Sequence, residues 1–462
     1  MAATTPQALI DHALAVSTAD HCIVVLRQSS SANLRWANNT LTTNGVMTAC
    51  QLTIVSVVDG GRGMSSGVIT QTATSTTQVA EMVSNAEQAA REATPAEDSA
   101  DVIDGDEATS WADPPGETGI DVFTDFAHDL GEALARAGRE QRLLYGYVEH
   151  DVTTTYLATS RGLRLRHEQP TGHVSITGKP TDLSTSVWVG QATEDFSDVD
   201  VAGLDDEVVR RIGWAERAIE LPAGRYDTIL PTTAVADLTA YSYFVSSGRD
   251  AHEGQTVFSR GVGGTAVGQQ IAKRGVRLHS DPGQAGLQAL PFVVASETDS
   301  MSSVFDNGLP LQPTDWISDG TLTSLATSRH TAQLTGLPLT PPVDNLMLSV
   351  DGGHGTIDDL VGAADRALLL TSLWYIREVD PQELLLTGLT RDGVYLVEGG
   401  EVVGAVNNFR FNESPVSLLN RFSEAGATQR SFSREWGDWF PRTATPPLRV
   451  PDFNMSTVSQ AS

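Results

Sequence analysis

Lysine is almost missing from this chain: it occurs only at Lys179 and Lys273. In 462 residues, 30 Lys and Arg face 58 Asp and Glu, giving a formal net charge of −28. No run of basic residues interrupts that acidity. Direct binding of DNA, RNA or anionic lipid by counter-charge is therefore excluded. The acidity itself reads as genome composition plus solubility, and excess Asp and Glu also suits a salt-adapted host. Cysteine is as scarce. Cys22 and Cys50 are too few for a disulfide framework or a Cys-rich zinc site, and both fall in expected strands, as buried reduced thiols. No segment approaches the roughly 18 apolar residues of a membrane span. The N-terminal stretch MAATTPQALIDHALAV has neither the basic start nor the apolar centre of a signal peptide. A soluble cytoplasmic protein is expected. No internal repeat of about 20–50 residues is visible.

What is present is a globular composition, 40% hydrophobic and 19% charged. The length favours two domains over one core. Thr5-Pro6 opens a first helix with proline at its first position. Strands are expected at Cys22–Arg27, Ala32–Ala37 and Val46–Val58, then a Gly60-Gly61-Arg62-Gly63 turn and a strand over Gly67–Thr72. A helix follows from Thr77 to Glu92, with Val79, Met82, Val83, Ala86 and Ala90 on its buried face. Residues 94–119 are acidic and proline-interrupted and read as an exposed loop. A helix over Asp121–Ala137, alternating strands from Leu143 to Val189 and a helix over Glu207–Ala218 complete an α+β N-terminal domain at 1–219. Pro222 and Gly224 break the pattern. From there, 220–462 reads as a mostly antiparallel β domain that begins with a strand at Asp227–Leu230 and a helix at Ala234–Val245.

The C-terminal block is the most patterned. Thr356 and Asp359 fit a capping box, with Ile357, Leu360, Val361 and Ala364 on one face. Leu368-Leu369-Leu370 is an apolar strand. Leu384-Leu385-Leu386 and Val394–Val397 flank Arg391-Asp392-Gly393, and Gly399-Gly400 turns a hairpin. This D/G-rich turn, helix, strand ending in Ser-Leu-Trp and hairpin run resembles the C-terminal half of the TldD/PmbA metallopeptidase family. The terminal Pro447-Leu448-Arg449-Val450 resembles that family's last strand. The likeness spans nearly the whole chain and is sharper after Leu221.

The resemblance implies a zinc site in one kind of subunit: H-E-x-x-x-H on a helix, with a downstream cysteine. The glutamate would act as general base on a zinc-bound water. The matching helix here, Ala234–Val245, has no histidine and one carboxylate, Asp237, and no cysteine follows Cys50. The chain thus resembles the zinc-free TldE/PmbA kind. No cofactor or metal is expected in it, with the zinc expected in the partner subunit.

His252-Glu253 is not a motif remnant: no second histidine follows, and Gly254, Thr256 and Phe258 match a family turn instead. Its bland reading is an exposed loop imidazole. The glycine-rich Gly261–Gly268 lacks a P-loop lysine and, by resemblance, borders the substrate channel. Asp237, Tyr241, His252, Glu253, Gly263 and Gly264 are therefore the substrate-channel candidates. Gly63–Gly67 matches G-x-S-x-G, but the turn precedes the serine, against a nucleophile elbow. Asp205-Asp206-Glu207 and Asp358-Asp359 read as helix-start charges. Trp436, Trp439 and Phe440 form an aromatic cluster, either a core plug or a partner contact.

Three functional readings follow. The first is a non-catalytic TldE/PmbA-like subunit. It would pair with a TldD-like zinc-bearing subunit, as heterodimer or higher, and help degrade or mature unfolded peptides. The second is an autonomous peptidase with a non-family metal site drawn from His252, His279, His330 or His354. The third is a non-enzymatic, homodimeric regulatory protein, which matches the older family name, modulator of DNA gyrase.

Overall fold

The computed structural model describes residues 4–61 and 63–459; Arg62 of the expected glycine turn lies outside them. The N-terminal half is built on one antiparallel sheet in the order β3-β2-β1-β4-β5-β6. Its strands are β1 (His21–Ala37), β2 (Thr40–Asp59), β3 (Met64–Gln71), β4 (Arg142–Thr159), β5 (Arg164–Pro180) and β6 (Val187–Thr193). The two strands expected at 22–27 and 32–37 are one. Gln28-Ser29-Ser30-Ser31 has no turn former, and it pairs on both sides, with β2 and β4. The β2 strand likewise starts six residues earlier than expected.

One face of this sheet is covered by helices. Thr5 caps α1 (Pro6–Val16). Ser75 caps α2 (Thr76–Glu92), whose expected apolar face is buried. Gly67 is required there, because a Cβ would lie 2.2 Å from the Ala86 carbonyl oxygen. These two helices cover Cys22, Val24 and Leu26. Farther along the same face, α3 (Thr124–Arg139) and α4 (Val201–Trp214) cover Ala32, Leu34 and Trp36. The α4 helix starts before the expected Glu207 because Asp200 caps it. Asp205 is therefore not a helix-start charge; it is buried and paired with Arg142 at 2.7 Å. Cys22 is buried but Cys50 is only half-buried, since it sits near the open end of β2.

The opposite face meets the C-terminal half: Ile23, Val55 and Val57 pack on Val102, Val304 and Phe305. Residues 94–119 do lack long regular elements, but they are not a free loop. Trp111 packs edge-on against Tyr156, and Val102 is buried between the two halves.

The C-terminal half opens with β7 (Ala218–Ile219), β8 (Gly224–Leu230), α5 (Thr232–Phe244) and α6 (Gly248–His252). A mixed sheet, β11-β10-β9-β12-β19-β18, uses β9 (Val276–Ser280), β10 (Thr314–Ser318), β11 (Thr321–Leu322), β12 (Leu346–Val350), β18 (Gln429–Ser431) and β19 (Thr443–Thr445). The other sheet runs β13-β8-β20-β16-β14-β15-β7, from β13 (Arg366–Asp380), β14 (Leu385–Glu398), β15 (Glu401–Val406), β16 (Phe409–Glu413) and β20 (Leu448–Val458), with the short β17 (Glu424–Ala425) beside β20. A further β13–β14 pairing closes part of it into a ring. Leu370, Leu386, Phe409, Phe411, Val450 and Phe453 belong to the core of this half. The capping box at Thr356 and Asp359 is present, and Gly399-Gly400 turns β14 into β15 with positive φ. Arg391-Asp392-Gly393 is not a turn. It is a kink inside β14, with Asp392 at φ 53°, where the pairing to β13 shifts register.

Glu87 of α2 ties α1 to its neighbour. Its carboxylate accepts from the Thr18 amide at 2.5 Å, the Ala19 amide at 3.1 Å, the Thr18 hydroxyl at 2.6 Å and Arg91 at 2.8 Å. Burial pushes its pKa up, but the Thr18 bonds and Arg91 prevail and hold it at about 2. A Glu87→Ala variant is expected to lose about 2 kcal/mol of stability or more at neutral pH. Because the folded value is depressed, that stabilisation is present above the free value of about 4.3 and is lost as pH falls through about 2. Chemical denaturation at pH 7 and pH 3 should show the wild-type advantage shrinking at the lower pH.

Candidate functional site

Helix α5 follows β8 directly and is apolar or small on nearly every side: Ala234, Val235, Ala236, Leu238, Ala240 and Tyr243 are all buried. Such a helix belongs inside a core. Asp237 sits in its middle and is fully buried. One carboxyl oxygen accepts from the Ser433 hydroxyl at 2.6 Å and from the Glu435 amide at 3.0 Å. The Asp237 carbonyl accepts from the Trp436 indole at 3.0 Å. Residues 433–436 thus form a strap across α5.

The strap continues outward. The Glu435 carboxylate accepts from the amides of Tyr375 and Ile376 at 3.0 and 3.1 Å. These bonds hold Tyr375 at φ 53°, in the left-handed region that bulky residues avoid. Arg434 is sandwiched between Trp188 and Trp374, 4.5 and 5.4 Å from the ring centroids, and pairs with Asp392 at 2.6 Å. Phe432 stacks on His173 and Trp188. One short segment therefore joins α5, the β13 kink, the β14 kink and the N-terminal sheet.

The sequence candidates fall into two groups. Asp237, Tyr241 and Trp436 come together, with Tyr241 edge-on to Trp436 at 5.6 Å. His252, Glu253, Gly263 and Gly264 form the second group. His252 ends α6, and its carbonyl accepts from the Gly263 amide at 2.7 Å. Glu253 pairs with Arg249 at 3.0 Å. Gly263 has φ 89°, and a Cβ on Gly264 would lie 2.7 Å from the Arg260 carbonyl oxygen. Gln382, between β13 and β14, donates to the Gly254 carbonyl at 2.7 Å and so touches the second group. Phe440 is buried against Tyr243 and Phe244, so it is core and does not present to a partner. Trp439 is 84% exposed. Ser65 of the G-x-S-x-G match lies in β3 and donates to the Ala90 carbonyl at 2.6 Å, as a structural hydroxyl. Ser433, Arg434, Glu435, Trp188 and Trp374 were not among the sequence candidates. The only signal was the aromatic cluster that follows them.

Two family models cover most of the chain: the PmbA/TldA metallopeptidase central domain at residues 113–216 and the C-terminal domain at 223–457. The chain belongs to the TldD/PmbA metallopeptidase family. Its fold is that of TldE from Thermococcus kodakarensis, at 17% identity, TM-score 0.77, and coverage of 97% of this chain and 99% of that one. Proteins described as DNA gyrase modulators share it. The one from Thermotoga maritima has 15% identity, TM-score 0.75 and coverage of 97% and 100%. The one from Bacteroides thetaiotaomicron has 14%, 0.74 and 98% of each chain. No curated protein matches the sequence.

A metallopeptidase-family fold invites a test of these residues against a metal. Among the described residues, no group of three or more His, Cys, Asp or Glu is placed to hold one. On α5 the lone carboxyl gives one oxygen to the strap, and its other oxygen is buried with no hydrogen-bond partner and no second ligand beside it among the described residues. Burial pushes the Asp237 pKa up, and the Ser433 and Glu435 bonds offset this only in part, leaving it at about 8. At neutral pH the group is mostly a neutral acid, a poor ligand for a cation. The donor set does not fit zinc.

Asp237→Ala is expected to cost about 2–4 kcal/mol, from the emptied volume and the abandoned Ser433 and Glu435 donors. Asp237→Asn keeps the acceptor oxygen. The folded pKa exceeds the free value of about 3.9, so the neutral acid's stabilisation is complete below that pH and is lost as pH rises through about 8. Thermal unfolding between pH 4 and 9 should show that slope in the wild type and a flatter one in Asp237→Asn.

Proposed function

We propose that the chain is the non-catalytic, TldE/PmbA-like subunit of a two-subunit zinc peptidase acting on unfolded peptides. The observation that carries this is the state of α5. Its only carboxyl is buried and bonded to Ser433 and Glu435, so it offers neither a metal ligand nor a base reachable by water. Zinc, base and hydrolysis then belong to a TldD-like partner bearing HExxxH and a downstream cysteine. This chain's part is to complete the chamber and hold extended peptide by strand addition. The outer part of β13 suits that role. The β8 strand pairs with it only at Leu368 and Leu369, and beyond Tyr375 and Ile376, whose amides Glu435 occupies, residues 377–380 have a strand neighbour on one side, β14. Val379 is exposed there. The exposed Trp439 is the partner-contact candidate that fits this reading.

The test is zinc content and peptide hydrolysis by the chain purified alone without chelator. Near-zero zinc, no cleavage of an unfolded peptide, and cleavage once an HExxxH-bearing subunit is added are the expected results. About one zinc per chain, or hydrolysis by the pure chain, would sink the proposal.

A further inference from the structure

Where the two halves meet, a polar cleft lies between the loop joining β5 to β6 and the kink of β14. Lys179, Ser184, Thr185 and Ser186 line it from the N-terminal half, and Arg391 and Asn408 line it from the C-terminal half. Its volume is about 290 Å³, near the lower end of the roughly 300–1,000 Å³ of small-molecule sites. The Ser186 hydroxyl ties the halves at its edge by donating to Asp392 at 3.0 Å.

The lining carries two positive charges that the protein does little to neutralise. Among the described residues the Lys179 ammonium has no ion-pair or hydrogen-bond partner; its one contact is the Tyr145 ring, 5.9 Å from the centroid. The other lysine, Lys273, donates to the Phe422 carbonyl. Among the described residues the Arg391 guanidinium reaches only Asp392, at 3.7 Å, which is too long for a hydrogen bond. That carboxylate is already held by Arg434 at 2.6 Å and by Ser186. With Asp392 and Arg434 cancelling, two cations remain at one cleft in a chain of net charge −28.

We propose that this cleft binds a phosphate group, carried by a small polyol ester such as a sugar phosphate. Arginine offers a planar fork and lysine a point charge, and both side chains recur at phosphates. The hydroxyls of Ser184, Thr185 and Ser186 and the amide of Asn408 suit the hydroxyls of a polyol. They suit a nucleobase less, because the one aromatic residue of the lining, Tyr395, is 1% exposed and presents no open ring face. A long polyanion stays excluded by the field of the whole chain, whereas a single phosphate needs only the local pair of cations. Bound there, it joins Lys179 of one half to Arg391 of the other and so stabilises their junction. The inference does not rest on the peptidase reading, whose zinc and hydrolysis measurements it leaves unchanged.

Titration calorimetry of the full chain in a phosphate-free buffer is the test, with glucose 6-phosphate, glucose, inorganic phosphate and sulfate as probes. Glucose 6-phosphate should bind at about one per chain and raise the melting temperature, and glucose should not bind. Lys179→Gln and Arg391→Gln should each weaken binding by about tenfold or more, and their melts without ligand verify folding. Arg27→Gln/Arg274→Gln removes charge from exposed sites outside the cleft and should leave binding unchanged. Tighter binding of the sugar phosphate than of inorganic phosphate supports the ester; equal binding supports the phosphate site with free phosphate as its ligand. Sulfate binding as tightly as either means an adventitious ion only and overturns the proposal. So does the lack of saturable binding at millimolar phosphate probe, or binding that both cleft variants leave intact.

Discussion

The C-terminal half is organised around one buried carboxyl. Asp237 takes the Ser433 hydroxyl and the Glu435 amide on a single oxygen, while its backbone carbonyl takes the Trp436 indole. With α5 fixed against residues 433–436, the neighbours of the strap fall into place. Glu435 pins the β13 kink at Tyr375, and Arg434 reaches Asp392 in the β14 kink. The same arginine stacks on Trp188 and so reaches the N-terminal sheet. Two strained backbone positions, Tyr375 and Asp392, persist because these contacts over-determine them.

That arrangement bears on chemistry. The family resemblance puts paired histidines and a glutamate on this helix in zinc-bearing subunits. Such a helix must turn one face to a water-filled site. Here α5 is buried around most of its circumference, and one oxygen of its carboxyl holds a strap while the other is buried with no hydrogen-bond partner among the described residues. A buried carboxyl that is mostly protonated near neutral pH serves packing specificity better than catalysis. The scaffold position to which the resemblance assigns zinc ligands carries a structural tie in this chain.

Much of this was legible in the sequence. Apolar spacing located α2, α3 and α5 within a few residues, and capping chemistry located the Thr356 helix. The family motifs identified the C-terminal block. What failed had physical causes. The length of β1 was hidden because a serine run resembles a loop until two neighbouring strands satisfy its amides. The start of α4 was missed because Asp200 acts as cap through its own side chain. The strap was illegible because its decisive bonds join residues nearly two hundred positions apart, Asp237 to Ser433 and Glu435. Periodicity carries no information about such contacts.

The scarcity of lysine takes on meaning at this level. A guanidinium has five donors in a planar fork, whereas an ammonium is a point charge on a flexible stem. The inter-element ties of this protein use the fork. Arg142 bridges Glu140 and the buried Asp205. Arg449 spans Asp227 and Glu424. Arg329 bonds Asp306 and reaches the Asp101 carbonyl across the junction of the two halves. Arg434 combines an ion pair with two aromatic faces. A lysine at any of these positions could satisfy one partner well and would leave others short. These four arginines are thus committed to architecture.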